Sequence, residues 1–177
     1  MLLRHSFLKR LSAPALLLLA VFALPGFRVN AQAVRDPLTT DQAEAVRDTG
    51  DKPIERVKLY MKFIEERTTE IHKLSIDPRA QAPNSRLHNL MEEFTRLADE
   101  LQDNLETYSE EHADIRKPLK ELVQNTAKWK ASLQEPKASA DYDFARKTAL
   151  DTADSTAELA QKMLTAQEQY FGKKPNK

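Results

Sequence analysis

Apolar residues recur at steps of three and four along four stretches of the chain, the period of one face of an α-helix. The first stretch, about Pro53 to Ser75, carries Ile54, Val57, Met61, Ile64, Thr68 and Ile71. The second, Ser85 to Glu111, carries Leu87, Leu90, Phe94, Leu97 and Leu101, widened by Met91, Ala98, Leu105 and Tyr108. The third, Ile115 to Gln134, carries Ile115, Leu119, Leu122, Thr126, Trp129 and Leu133. The fourth, from a Ser139 cap to Phe171, carries Tyr142, Ala145, Ala149, Thr152, Thr156, Leu159, Met163, Ala166 and Tyr170. A spacing near 3.5 is that of coiled coils and favours packing at about 20°. The expected fold is therefore all-α: an up-and-down four-helix-type bundle with a short extra N-terminal helix.

That extra helix is expected from Thr40 to Thr49. Thr39 and Gln42 have capping-box spacing, and Gly50 is expected to close the helix in the left-handed conformation. Prolines mark the boundaries. Pro37, Pro53, Pro78, Pro83, Pro118, Pro136 and Pro175 fall between or at the starts of the periodic stretches, where a missing N–H matters little. Pro118 leaves two readings open, a tight reversal near Ala113–Lys117 or a kink in one long rod; the reversal is favoured.

The N-terminal residues follow a different pattern. Arg4, Lys9 and Arg10 precede an apolar stretch from Leu11 to Leu24, then Pro25-Gly26, then Ala31-Gln32-Ala33. This is the layout of a cleavable export signal, too short for a bilayer span of about 20 residues. His5 stands where a twin-arginine signal would have its second arginine, so the general secretory route is expected. The chain thus divides into a signal at 1–33, an N-terminal segment at 34–52, the bundle at 53–172 and a basic tail at 173–177. Localisation is expected to be periplasmic or extracellular, in a bacterium, with no membrane span after cleavage.

Composition then narrows the function. The 27 basic and 27 acidic residues balance, but residues 1–33 hold four basic residues and no acid, leaving a net charge of −4 beyond them. An acidic chain lacks the cation excess that displaces counterions from phosphate, so no nucleic-acid partner is expected. Cysteine is absent, which removes disulfides, thiol chemistry and covalent haem attachment. Gly50 and Gly172 are the only glycines after residue 33, too few for a phosphate-cradling or dinucleotide loop. Neither a His-Glu-x-x-His pair nor a Glu-x-x-His pair occurs, so no metal, haem or other cofactor is expected and no enzyme activity. His88 and Glu92 share a helical face at i,i+4 but read as a solvated pair.

Two constellations point to partners. Tyr60 and Phe63 lie beside the seam of their helix and widen it, so they are candidates to border a protein-binding groove. Asp99, Asp103, Glu106 and Glu110 line one side of the next helix, where like charges repel by a few tenths of a kcal/mol per pair. Lys117, Lys120 and Lys128 on the following helix are expected to compensate them in a hairpin; otherwise the stripe is a site for a cation or a basic partner. Trp129, on a seam, is expected to be buried.

Leu38-Thr39-Thr40-Asp41-Gln42 resembles the L-T-x-x-Q pattern of small periplasmic stress chaperones, and Leu164-Thr165-Ala166-Gln167-Glu168 is a partial second copy in which Glu168 replaces the glutamine. The resemblance implies an exported helical protein that cradles unfolding clients. The same string is also a helix start, with Thr capping and Gln reaching back. The reading favoured by the residues is an exported helical bundle acting by protein binding, by weak self-association or as a structural envelope component. A chaperone-like protein is the alternative and a metal-binding protein the third.

Overall fold

The computed structural model describes residues 36–172, and among them all regular structure is helical: α1 (Thr40–Asp48), α2 (Pro53–Ile76), α3 (Pro83–Glu110), α4 (Arg116–Gln134) and α5 (Asp143–Gly172). Residues 1–33, where the export signal is expected, and the tail at 173–177 lie outside the described residues. No described helix is long and apolar enough to cross a membrane. The four long helices form a bundle in which α2 and α5 each pack against both α3 and α4.

The periodic pattern accounts for the core. Every position of the α4 seam is buried, from Ile115 through Leu119, Leu122, Thr126 and Trp129 to Leu133. Trp129 is 2% exposed and meets Phe94 of α3 edge to face, with ring centroids 6.1 Å apart. Such aromatic pairs add about 0.5–1.5 kcal/mol beyond burial. Buried threonines return their hydroxyls to their own helix: Thr68 to Glu65, Thr126 to Val123 and Thr156 to Thr152. No buried side-chain nitrogen or oxygen among the described residues lacks a partner.

α5 departs from the expected pattern. Its buried positions are Ala145, Ala149, Ala153, Thr156, Ala160, Met163, Leu164 and Gln167. Thr152 and Leu159 are half-buried, Ala166 is exposed and Tyr170 is 45% exposed. Thr156 and Met163 stay on the seam, whereas Ala153, Ala160 and Gln167 are buried in place of the neighbouring Thr152, Leu159 and Ala166, as a straight helix of 3.6 residues per turn drifts from a 3.5-residue repeat. The helix also starts at Asp143 rather than at a Ser139 cap. Ser139 anchors a turn instead: its N–H donates to Asp143 Oδ1 at 3.1 Å, and its carbonyl accepts from the Tyr142 and Asp143 amides.

Three further details differ from expectation. Ile54, in the first turn of α2, is 40% exposed and lines an open hollow beside the start of α4. Gly50 does not adopt positive φ; α1 ends at Thr49 with φ −84°, and the Gly50 amide returns to the Arg47 carbonyl. The left-handed positions are Ala82 (φ 44°) and His112 (φ 56°), in the turns before α3 and before α4. Both carry a Cβ where glycine is preferred. The chain does break between α3 and α4, as the favoured reading of Pro118 expects: residues 111–115 connect two separate helices. Pro118 sits buried in the first turn of α4, where its missing N–H has no intrahelical duty.

Candidate functional site

α1 lies against the bundle without burying any of its own residues. Its cap forms as the sequence implies: the Gln42 amide donates to Thr39 Oγ1 at 3.2 Å and the Thr39 amide to Gln42 Oε1 at 3.1 Å. Gln42 Nε2 also donates to Glu66 of α2 at 2.9 Å. The conspicuous residues of Leu38-Thr39-Thr40-Asp41-Gln42 are thus occupied by capping and docking, with Leu38 packed on the core.

Two arginines of α2 fasten α1. Arg56 donates through Nε to Thr49 Oγ1 at 3.0 Å and through a terminal nitrogen to the Val46 carbonyl at 3.2 Å. Arg67 donates to Glu93 at 2.8 Å, to the Pro37 carbonyl at 2.6 Å and to Gln42 Oε1 at 3.1 Å. Residues 56, 60, 63 and 67 are spaced to share one helical face. Tyr60 and Phe63 therefore stand between the two clasps, 4% and 3% exposed. The Tyr60 hydroxyl donates to Glu100 at 2.8 Å; burial first, and then that carboxylate, push its pKa well above the ordinary phenol value. These two aromatics, read from sequence as bordering a groove, are buried members of the core cluster.

The acidic stripe is exposed at Asp99, Asp103, Glu106 and Glu110. Partial burial, and secondarily the neighbouring Asp103, raise the Asp99 pKa above its usual value. The lysines expected to answer the stripe do not reach it. α3 packs mainly on α2 and α5, and meets α4 across the core, where Phe94 touches Trp129, rather than side by side. Lys120 pairs with Glu168 at 3.0 Å and Lys128 reaches Asn125 at 3.4 Å. No described basic residue forms an ion pair with Asp103, Glu106 or Glu110.

The histidines hold helix ends. His72 meets Glu135 at 2.6 Å, His88 meets the Asp141 carbonyl at 3.1 Å and Glu92 at 3.2 Å, and His112 meets the Ser109 carbonyl at 3.1 Å. No three His, Asp or Glu side chains among the described residues converge as a metal site. An open hollow of about 540 Å³ lies between Ile54 and the start of α4, and of its charged lining residues all but Lys117 are ion-paired. Asp114 takes two hydrogen bonds from the Arg116 guanidinium, which hold its carboxyl below the usual range, and Glu121 pairs with Lys58.

Gln167 carries a role the sequence pattern did not suggest. Its side chain accepts from the Ile115 amide at 3.0 Å and donates to the Ala113 carbonyl at 2.9 Å, so α5 fastens the turn that launches α4. A glutamine inside the partial L-T-x-x-Q copy, next to seam residues, was the available signal. No family model, no curated protein and no solved structure matches the chain.

Proposed function

We propose that this chain is an exported bundle protein that works by binding rather than by chemistry, and that the α3 stripe receives a basic protein surface. The observation that carries the reading is the stripe itself: clustered carboxylates, of which Asp103, Glu106 and Glu110 have no ion-pair partner on any described helix. Lysine or arginine on a partner would relieve the repulsion among them, adding roughly 0.2–1 kcal/mol per exposed pair. Export rests on the pattern of residues 1–33, and amino-terminal sequencing of the processed protein is expected to start at Val34.

The finer architecture belongs to the same proposal: α2 to α5 run up and down, with α1 as an addition. Contacts between α2 and α3 link Tyr60 to Glu100, Arg67 to Glu93 and Glu70 to Arg86, numbers running in opposite senses. Between α4 and α5, Lys120 meets Glu168 and Lys130 meets Asp154, again opposed. Between α2 and α4, Lys58 meets Glu121 and His72 meets Glu135, rising together. These senses support alternating helix directions.

Calorimetric titration with a lysine-rich peptide tests the binding reading. Saturable, salt-sensitive binding that is lost in D103N/E106Q/E110Q is expected; equal binding by that variant would remove the stripe from the function.

A further inference from the structure

The outer faces of α3 and α4 are opposite in charge. α3 holds seven carboxylates and two arginines, whereas α4 holds five basic residues and one carboxylate. The two helices lie across the bundle from each other, each packed on α2 and α5, with Phe94 and Trp129 meeting between them. On α4, Arg116 is answered by Asp114, Lys120 by Glu168 and Lys130 by Asp154, so the described bundle presents an acidic face on the α3 side and, on the α4 side, a face whose uncompensated charges are Lys117 and Lys128.

The faces also match in length. Asp99, Asp103, Glu106 and Glu110 advance by four, three and four residues; Lys117, Lys120, Gln124 and Lys128 advance by three, four and four. Each set keeps to one side of its helix over about 16 Å. All eight residues are exposed. Lys117 and Lys128 have no carboxylate partner among the described residues, just as Asp103, Glu106 and Glu110 have no basic one. Both stripes adjoin the 111–115 turn, so they occupy the same end of the bundle.

We propose that a second copy of this chain supplies the basic surface for the α3 stripe: the α3 face of one molecule docks on the α4 face of the next. The inference rests on the binding reading and on the alternating helix directions proposed above. When two molecules stand side by side with their axes parallel, α3 of one runs against α4 of the other in the opposite sense. A single register then sets Glu110 beside Lys117 and Asp99 beside Lys128, with Glu106 facing Lys120, which is shared with Glu168 of its own chain. Acid and base lie on opposite sides of each molecule, so the contact is heterologous and leaves one face of each kind open at the ends of a row. The charges are exposed, which makes the association weak and strongly dependent on salt.

Sedimentation of the purified protein tests this directly. At about 0.01 M salt, where charges act on one another out to roughly 30 Å before they are screened, the average mass is expected to rise with concentration; at about 1 M it should fall to that of one chain. K117Q/K128Q and D103N/E106Q/E110Q are each expected to lose self-association alone. Mixed together they should form a pair and stop there, since each retains one face. Unfolding curves check that both variants are folded, and should the triple variant fail, E106Q/E110Q takes its place. A single-chain mass at every low-salt concentration, assembly indifferent to salt, or a mixture that stays monomeric would overturn the proposal. Binding of a lysine-rich peptide by K117Q/K128Q separates the two readings. If that peptide binds while copies do not associate, the self-docking inference fails and the basic-partner reading stands; if neither occurs, both fail.

Discussion

The four long helices and α1 are attached to this molecule by different physics. Each long helix buries a continuous apolar stripe, and its stability is that of the shared core. α1 has no fully buried residue and is held by the guanidinium groups of Arg56 and Arg67, by Gln42, by its half-buried Val46 and by the preceding Leu38. Apolar burial is distributed over many contacts, whereas a clasp depends on a few directional bonds. The core should therefore unfold as a unit, and α1 should open at a small fraction of that free energy.

The largest effect should come from the core. Trp129→Ala is expected to destabilise by about 3–5 kcal/mol, read as a lower urea midpoint by circular dichroism, because the ring is enclosed and the space it leaves cannot collapse fully. Phe63→Ser should fall in the same range, measured in the same way. An effect of that size would assign Phe63 to the core. A loss confined to α1 amide protection would make it a surface covered by a strap, which is where a binding groove would be. Gln167→Ala should cost about 1–3 kcal/mol by stripping partners from the Ile115 amide and the Ala113 carbonyl.

The clasp gives a different signature. Gln42→Ala should remove hydrogen-exchange protection from amides of α1 while leaving the urea midpoint nearly in place, because outside its own cap its side chain reaches only Glu66 and Arg67. Thr39→Ala should act on α1 alone, by about 1 kcal/mol, since it deletes one cap bond. A cooperative fall of the whole bundle in either variant would erase the distinction between the two regions.

Much of this division was legible in the sequence. The α4 seam was readable to the residue because Leu119, Leu122, Thr126, Trp129 and Leu133 are large or branched against polar neighbours. α5 was less so: its alanines lie on both sides of the helix, and only contact with neighbours decides that Ala153 and Ala160 face inward while Ala166 does not. The capping box of α1 is local chemistry and was visible, but its docking depends on Arg67 meeting residues far away in the chain. The acidic stripe was likewise visible as a row of charges. Its lack of compensation was not, because pairing of α3 with α4 is a matter of bundle order, which helical period does not encode.

The smallest prediction concerns that stripe. Burial and the adjacent Asp103 raise the Asp99 pKa in the folded chain above its ordinary value. Between the ordinary value and the raised one, the folded state binds more proton than the unfolded state, so this group favours folding as pH falls through the window and opposes it as pH rises. Asp114, held down by Arg116, acts in the opposite direction and should lose its contribution as pH falls through its lowered value. Asp99→Asn should therefore stabilise at neutral pH by only about 0.2–0.5 kcal/mol, the size of a like-charge pair on a helix, and the gain should vanish once acid protonates Asp99 in both states. Carboxyl carbon shifts followed by NMR provide the sharper measurement. The Asp99 midpoint should lie above the usual carboxylate value and move down in Asp103→Asn, though not fully, because burial is the larger cause. A midpoint unmoved by that substitution would mean that the carboxylates of the stripe do not sense one another, and the repulsion invoked to draw a basic partner would be gone.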